Sequence, residues 1–177
     1  MRWRTKVRLS ATCALIGATV LANLGVGASA EDAGPVVTLR AGHLAMSDAE
    51  SAARRHFDAF LAHVTQPDGA TTHNAAVKVA IPTGDAHAEV IWVTPFAQTD
   101  ENGFLGILAN APRNIADATA GDAIAFQRMQ VRDWSFTGTD AKLYGSFTTR
   151  VLLPHIPQEQ AAQIAAILSD IPVPSEW

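Results

Sequence analysis

The chain has 177 residues, with 13 Lys and Arg against 17 Asp and Glu, and a formal net charge of −4 at pH 7. An acidic balance is repelled by phosphate backbones and anionic lipid, which argues against a nucleic-acid partner. The one cysteine, Cys13, excludes an internal disulfide and a Cys-ligated structural zinc site.

Arg2, Arg4, Lys6 and Arg8 precede an apolar run, LSATCALIGATVLANLGVG, that closes on Ala28-Ser29-Ala30. Basic, then apolar, then small-x-small is the order of a secretory signal. Residues 1–30 are therefore expected to be cleaved near Ala30, leaving a periplasmic or secreted domain that meets the membrane only in transit through its signal. The alternative is an uncleaved anchor, since the run is about long enough to span a bilayer; its Gly, Ser, Thr and Asn content weakens that reading. Cys13 leaves with the signal, so the mature domain has neither a thiol nucleophile nor a staple, and its core must hold it.

Residues 31–46, EDAGPVVTLRAGHLAM, read as an extended leader, and residues 47–170 as the domain. Ser47 followed by Glu50 is the capping-box pattern and predicts a helix start. Ala53, Phe57, Phe60, Leu61 and Val64 then recur on one helical face, and Pro67-Asp68-Gly69 predicts its end. The period next changes to two. Val77, Val79 and Ile81 alternate with Ala76, Lys78 and Ala80, and Thr83-Gly84-Asp85 predicts a turn into AEVIWVTPF, giving a hairpin of 75–81 with 88–94 whose pairing Pro95 limits. Asn102-Gly103 predicts a turn before the strand FLGILAN. After the loop APRNIADATAGD comes GDAIAFQRMQVRDW, read as mostly extended, and then Gly138-Thr139-Asp140 and a strand AKLYGSFTTRVLL. A second helix, PQEQAAQIAAIL, opens near Pro157, with Ala161, Ile164, Ala165 and Leu168 as its apolar stripe. The tail 171–177 cannot be helical. The order predicts an α+β fold: a curved antiparallel sheet or small partial barrel of five to six strands, with an N-terminal helix packed on it and a C-terminal helix.

Catalytic chemistry is harder to find. His56 and His63 lie about two turns, roughly 10 Å, apart on the first helix, and His43, His73, His87 and His155 are scattered, so no metal and no cofactor is expected. Ser146 falls inside the last predicted strand, on its solvated face, and not in a nucleophile elbow. No dinucleotide-binding or phosphate-binding glycine loop is present. Gly121-Asp122 fits turn chemistry, with Gly supplying a positive φ before a strand and Asp bonding backbone N–H groups two residues on. Asp133-Trp134 is less ordinary, because Asp is a poor strand former. In strict alternation Asp133 shares the inward face of Val131, Trp134 points the other way, and the buried carboxylate needs a partner, Arg150 or backbone N–H groups at a bulge. Alternatively a bulge turns Asp133 outward and Trp134 in.

These motifs, in this order, resemble the YegJ-like bacterial family, the domain of unknown function DUF2314. A Trp-containing strand, G-x-x-x-N-x-P, Gly-Asp, Asp-Trp and a closing Gly-x-x-Thr-x-Arg fall here on Trp92; Gly106, Asn110 and Pro112; Gly121 and Asp122; Asp133 and Trp134; and Gly145, Thr148 and Arg150. The resemblance covers residues 47–168. The family often carries a Met and an aromatic after Asp-Trp, where this chain has Ser135 and Phe136. The resemblance implies a fold and no activity.

The combined reading is an exported, non-catalytic binding domain of the bacterial envelope whose partner is an envelope protein or peptide. Its candidate ligand- or partner-binding residues are Trp92, Asn110, Asp133, Trp134 and Arg150. The rivals are a hydrolase using Asp133 or Asp122 with a histidine, and a carrier of a small apolar ligand in a slot near Trp92 and Trp134.

Overall fold

The computed structural model describes residues 39–84 and 87–177; the expected signal and the first part of the leader lie outside them. A six-stranded antiparallel open sheet forms the centre, in the order β4-β3-β2-β1-β5-β6. Its strands are β1 Ala75–Pro82, β2 Ala88–Gln98, β3 Gly103–Leu108, β4 Ala123–Gln127, β5 Val131–Thr137 and β6 Leu143–Gly145. Helices α1 (Leu39–Arg55) and α2 (Phe57–Val64) precede it, while α3 (Phe147–Leu152) and α4 (Gln158–Ile167) follow β6. The fold is α+β, with helices N-terminal and C-terminal to the sheet, and the sheet does not close into a barrel.

Two-residue alternation lets one sheet carry two cores. On the front face Val77, Val79, Ile91, Val93, Phe96 and Phe104 pack against Ala53, Phe57, Phe60 and Val64 of the first helices. Phe60 lies at the centre, its ring 4.8 Å from that of Trp134 and 6.2 Å from that of Phe96. On the back face a smaller core joins Trp92 and Leu143 to Ile164 and Leu168 of the α4 segment.

Four expectations are corrected. The helix does not start at Ser47: α1 begins at Leu39, so residues 39–46 are helical and Ser47 is an exposed interior position. Glu50 forms no capping box there; its carboxylate meets Arg54 at 3.4 Å and Arg132 at 3.6 Å. The helix is also broken once, at His56 (φ −100, ψ 6). The carbonyl of Ala53, which would serve the Phe57 N–H in an unbroken helix, accepts the indole N–H of Trp134 at 2.8 Å. A side chain inserted into the i→i−4 ladder is a recognised cause of such breaks. The run 121–134 is two strands: a 3₁₀ turn, Arg128–Gln130, carries the chain from β4 to β5, on either side of β3, β2 and β1. Finally, the last predicted strand ends at Gly145, and Phe147 to Leu152 is helix.

Strand β2 runs past Pro95 to Gln98, but its pairing with β3 shifts between Val93 and Phe96, where the Thr94-Pro95 bond is cis. Gly106 sits opposite this irregularity. A Cβ there would overlap the side chains of Val93 and Phe96, so the motif glycine is a packing requirement.

The two helix signals give a test in one set of denaturant melts. Phe60→Ala should cost about 3–5 kcal/mol as a core truncation. Ser47→Ala should be neutral or stabilising by up to roughly 0.5 kcal/mol, because an exposed interior Ser is a poorer helix former than Ala. A loss of about 1 kcal/mol at Ser47, the signature of a removed N-cap, would contradict a helix that starts at Leu39.

Candidate functional site

The distinctive chemistry begins at a bulge. Val79 pairs with Val131 but Lys78 pairs with Asp133, so Arg132 is one residue in excess on β5. An extra residue reverses the side-chain alternation beyond it. Val131, Trp134 and Phe136 therefore all face the front core, and Asp133 points away from it. This overturns the strict alternation that put Asp133 with Val131. It also differs from the bulge alternative in one respect: Asp133 is turned away from Val131, yet it has no solvent exposure.

What covers Asp133 is the turn from β6 into α3. One carboxylate oxygen, Oδ1, accepts the N–H groups of Trp134 (2.8 Å) and Phe147 (3.1 Å). The other, Oδ2, accepts the Thr148 N–H (2.8 Å) and the Thr148 hydroxyl (2.6 Å). Burial is affordable for a carboxylate only with such donors. Thr148 Oγ1 in turn accepts from the Lys78 ammonium at 3.2 Å, and that Nζ lies 5.6 Å from the centre of the Trp92 ring. Trp92, Lys78 and Asp133 are adjacent in register across β2, β1 and β5, forming one row: an aromatic ring, a largely desolvated amine and a buried carboxylate. Burial pushes the Asp133 carboxyl above the ordinary aspartate value, against the pull of the Thr148 and Trp134 donors and of Lys78. Burial pulls the Lys78 amine down, opposed by Asp133 and Glu50.

Arg150 is not the hydrogen-bonding partner of Asp133. Its guanidinium donates to the carbonyls of Gly145 (3.0 Å), Ser169 (2.8 Å) and Leu143 (3.5 Å). It ties α3 to β6 and to the segment after α4. The tail beyond is fastened by the Gly145 N–H, which donates to the Pro172 carbonyl at 2.7 Å. Gly145 has φ +70, and a Cβ there would overlap the Trp134 carbonyl and indole. Ser146 also takes a left-handed backbone, φ 54, and is fully buried; its hydroxyl has no hydrogen-bond partner among the described residues. It is a turn residue beneath the surface and not the solvated strand residue expected.

The five candidates thus separate. Trp92 and Asp133 share a row through Lys78. Trp134 projects into the opposite core, so Trp92 and Trp134 do not line one slot. Asn110 lies in the loop after β3, with Oδ1 buried and unpartnered among the described residues; that loop hangs on Glu89, whose carboxylate accepts the N–H groups of Arg113 and Asn114 at 2.7 to 3.0 Å. Asp122 does turn chemistry, but toward a residue three positions before it and not two residues on. Its Oδ2 accepts the Thr119 N–H (2.7 Å) and hydroxyl (3.0 Å), next to Gly121 at φ +93. Among the described residues no group of three or more His, Cys, Asp and Glu could hold a metal ion. Sequence reasoning missed Lys78, because a lysine alternating with valines on a strand reads as a solvated residue.

Coupling distinguishes the two cations. Asp133→Asn should destabilise by about 3–5 kcal/mol, as does removing one partner of a buried charged network. Adding Lys78→Met should cost clearly less than the sum, while adding Arg150→Met should be closer to additive. Equal coupling to both cations in a double-mutant cycle would refute this assignment. The pH dependence has a definite sign. A carboxyl whose folded pKa is raised contributes stability that is complete below its unfolded value of 3.8 and is lost as pH rises through the folded value. The margin of wild type over Asp133→Asn should therefore narrow as pH climbs from 3.8; a margin that widens in paired melts would reverse the sign.

The comparisons bear on the whole fold. Residues 43–167 match the family model described as an uncharacterized protein conserved in bacteria, DUF2314. Over 125 residues the chain is 34% identical to the uncharacterized protein YegJ of Escherichia coli (strain K12), covering 70% of this chain and 77% of that protein. No solved structure matches. The match contains the front core, the bulge, Lys78, Asp133 and the turn that covers it, and the chain belongs to the DUF2314 family of conserved bacterial proteins.

Proposed function

We propose that this chain is an exported domain of the bacterial envelope that binds a protein or peptide partner and does not catalyse. The supporting observation is an uncovered apolar half of the back face. The α4 segment packs at Trp92 and Leu143, whereas Leu105 is 46% exposed, with exposed Ala123 and Ala125 beside it and half-buried Ile107 next along the strand. Contiguous exposed apolar side chains on one face are the usual mark of a contact surface. The oxygens of Asp133, by contrast, are engaged by internal donors beneath the surface, which suits a pinned turn better than a reacting group. Export rests on the basic, apolar, small order of residues 1–30.

The full-length chain, expressed in bacteria and recovered from the periplasmic fraction, should begin at Glu31 and retain a specific envelope protein on affinity capture. Leu105→Asp should lose that protein without lowering the melting temperature. Recovery only with the membrane, at a mass retaining residues 1–30, would sink the export reading. Unchanged capture by Leu105→Asp would sink the assignment of the face.

A further inference from the structure

The two edges of the sheet are treated differently. At β6 the strand has three residues and its outer edge is covered by the segment after α4, with the Ser169 N–H donating to the Leu143 carbonyl and the Gly145 N–H to the Pro172 carbonyl; the chain then turns, and the Phe147 and Thr148 N–H groups are taken by Asp133. At β4 the edge is left open over a short interval among the described residues. The Leu108 N–H donates to the Asp122 carbonyl and the Arg128 N–H to the Asn102 carbonyl. Even-numbered residues therefore bond inward to β3, and the N–H and C=O groups of Ala123 and Ala125 point outward. The interval is bounded on both sides: the Gln127 N–H is taken by Gln130 Oε1 and the Gly121 N–H by the Leu108 carbonyl. Proteins commonly protect an edge with lysine, proline or an inward charge, and Ala123–Gln127 contains none of these.

We infer that β4 pairs with β4 of a second copy, antiparallel, about a two-fold axis at Ile124. In this register Ala123 lies opposite Ala125 of the other copy, and the outward groups of these two residues satisfy one another completely, with four hydrogen bonds and none left over. A register centred one residue later would require the Gln127 N–H that Gln130 already holds. On the back, Ile107 and Ala123 of one copy continue into Ala125 and Leu105 of the other, so the apolar strip becomes continuous. The same patch meets itself, as a two-fold interface requires. The pairing uses the strand edge and not the sheet face, so it stands apart from the partner proposed above.

The register is testable by cross-linking in the full-length chain carrying Cys13→Ser. Ile124→Cys should form a disulfide-linked dimer under mild oxidation, because directly opposed non-hydrogen-bonded residues lie within the range a disulfide spans. Ala123→Cys alone should not cross-link, but mixed with Ala125→Cys it should. In sedimentation the Cys13→Ser chain should show a concentration-dependent dimer. Ala125→Lys, exposed in the single copy, should be monomeric with an unchanged melting temperature. Only monomer at every concentration, a dimer that survives Ala125→Lys, or self-linking of Ala123→Cys as ready as that of Ile124→Cys would each overturn the pairing. Capture of an envelope protein by a strictly monomeric chain would overturn the pairing alone, and a dimer that captures nothing would overturn only the envelope partner.

Discussion

The Asp133 carboxylate is the constraint on which the rest of the structure turns. A buried anion must be surrounded by donors, and the donors it finds are the N–H groups that open α3 and the hydroxyl of Thr148. Those groups would otherwise continue the β6 ladder, so binding them to a carboxylate ends the strand at Gly145 and starts a helix against α1. Arg150 is carried round with that helix and spends its guanidinium on three carbonyls of β6 and the following segment. Lys78 completes the arrangement from the neighbouring strand through Thr148.

The one-residue bulge at Arg132 couples this network to the main core. It sends Asp133 away from the front face and Trp134 into it. The indole then needs an acceptor when buried and takes the Ala53 carbonyl, at the point where α1 gives way to α2. Adjacent residues on one strand thus organise opposite sides of the molecule. An architecture of this kind concentrates its buried ionisable groups at one end of the sheet, while the other end, around β3 and β4, combines aromatic and aliphatic packing with turn hydrogen bonds and the Arg128–Asp58 ion pair. The end rich in polar groups is closed at its edge, whereas the apolar end presents an uncovered face and a bare edge.

The hairpin of β1 and β2, the strand at 103–108, the two-helix frame and the core positions Phe57 and Phe60 were legible because alternation and helical spacing are local and are reinforced by turn residues. The turn role of Gly121 and Asp122 was legible for the same reason. The boundary at Ser47 was misread because a capping pattern has the same letters inside a helix as at its start; only the eight residues before it decide which it is. The strand expected after Gly145 was misread because Phe147, Thr148, Arg150 and Val151 suit a strand by pattern, and nothing nearby in sequence announces that the N–H groups of Phe147 and Thr148 are claimed by a carboxylate fourteen and fifteen residues away.

The candidate site shows the same division. Sequence alone determined that Asp133 required an explanation, since a carboxylate in an apolar strand must be compensated, and it marked Gly145, Thr148 and Arg150 as positions of one motif. It did not determine which cation serves the carboxylate or which way Trp134 faces. Both depend on a single inserted residue, and a bulge has no local signature: it exists because the pairing with β1 shifts there, and register is a property of two strands at once. Only the tertiary structure could decide that Lys78, an unremarkable lysine between valines, belongs to the buried network and that Arg150 belongs to the carbonyls beside it.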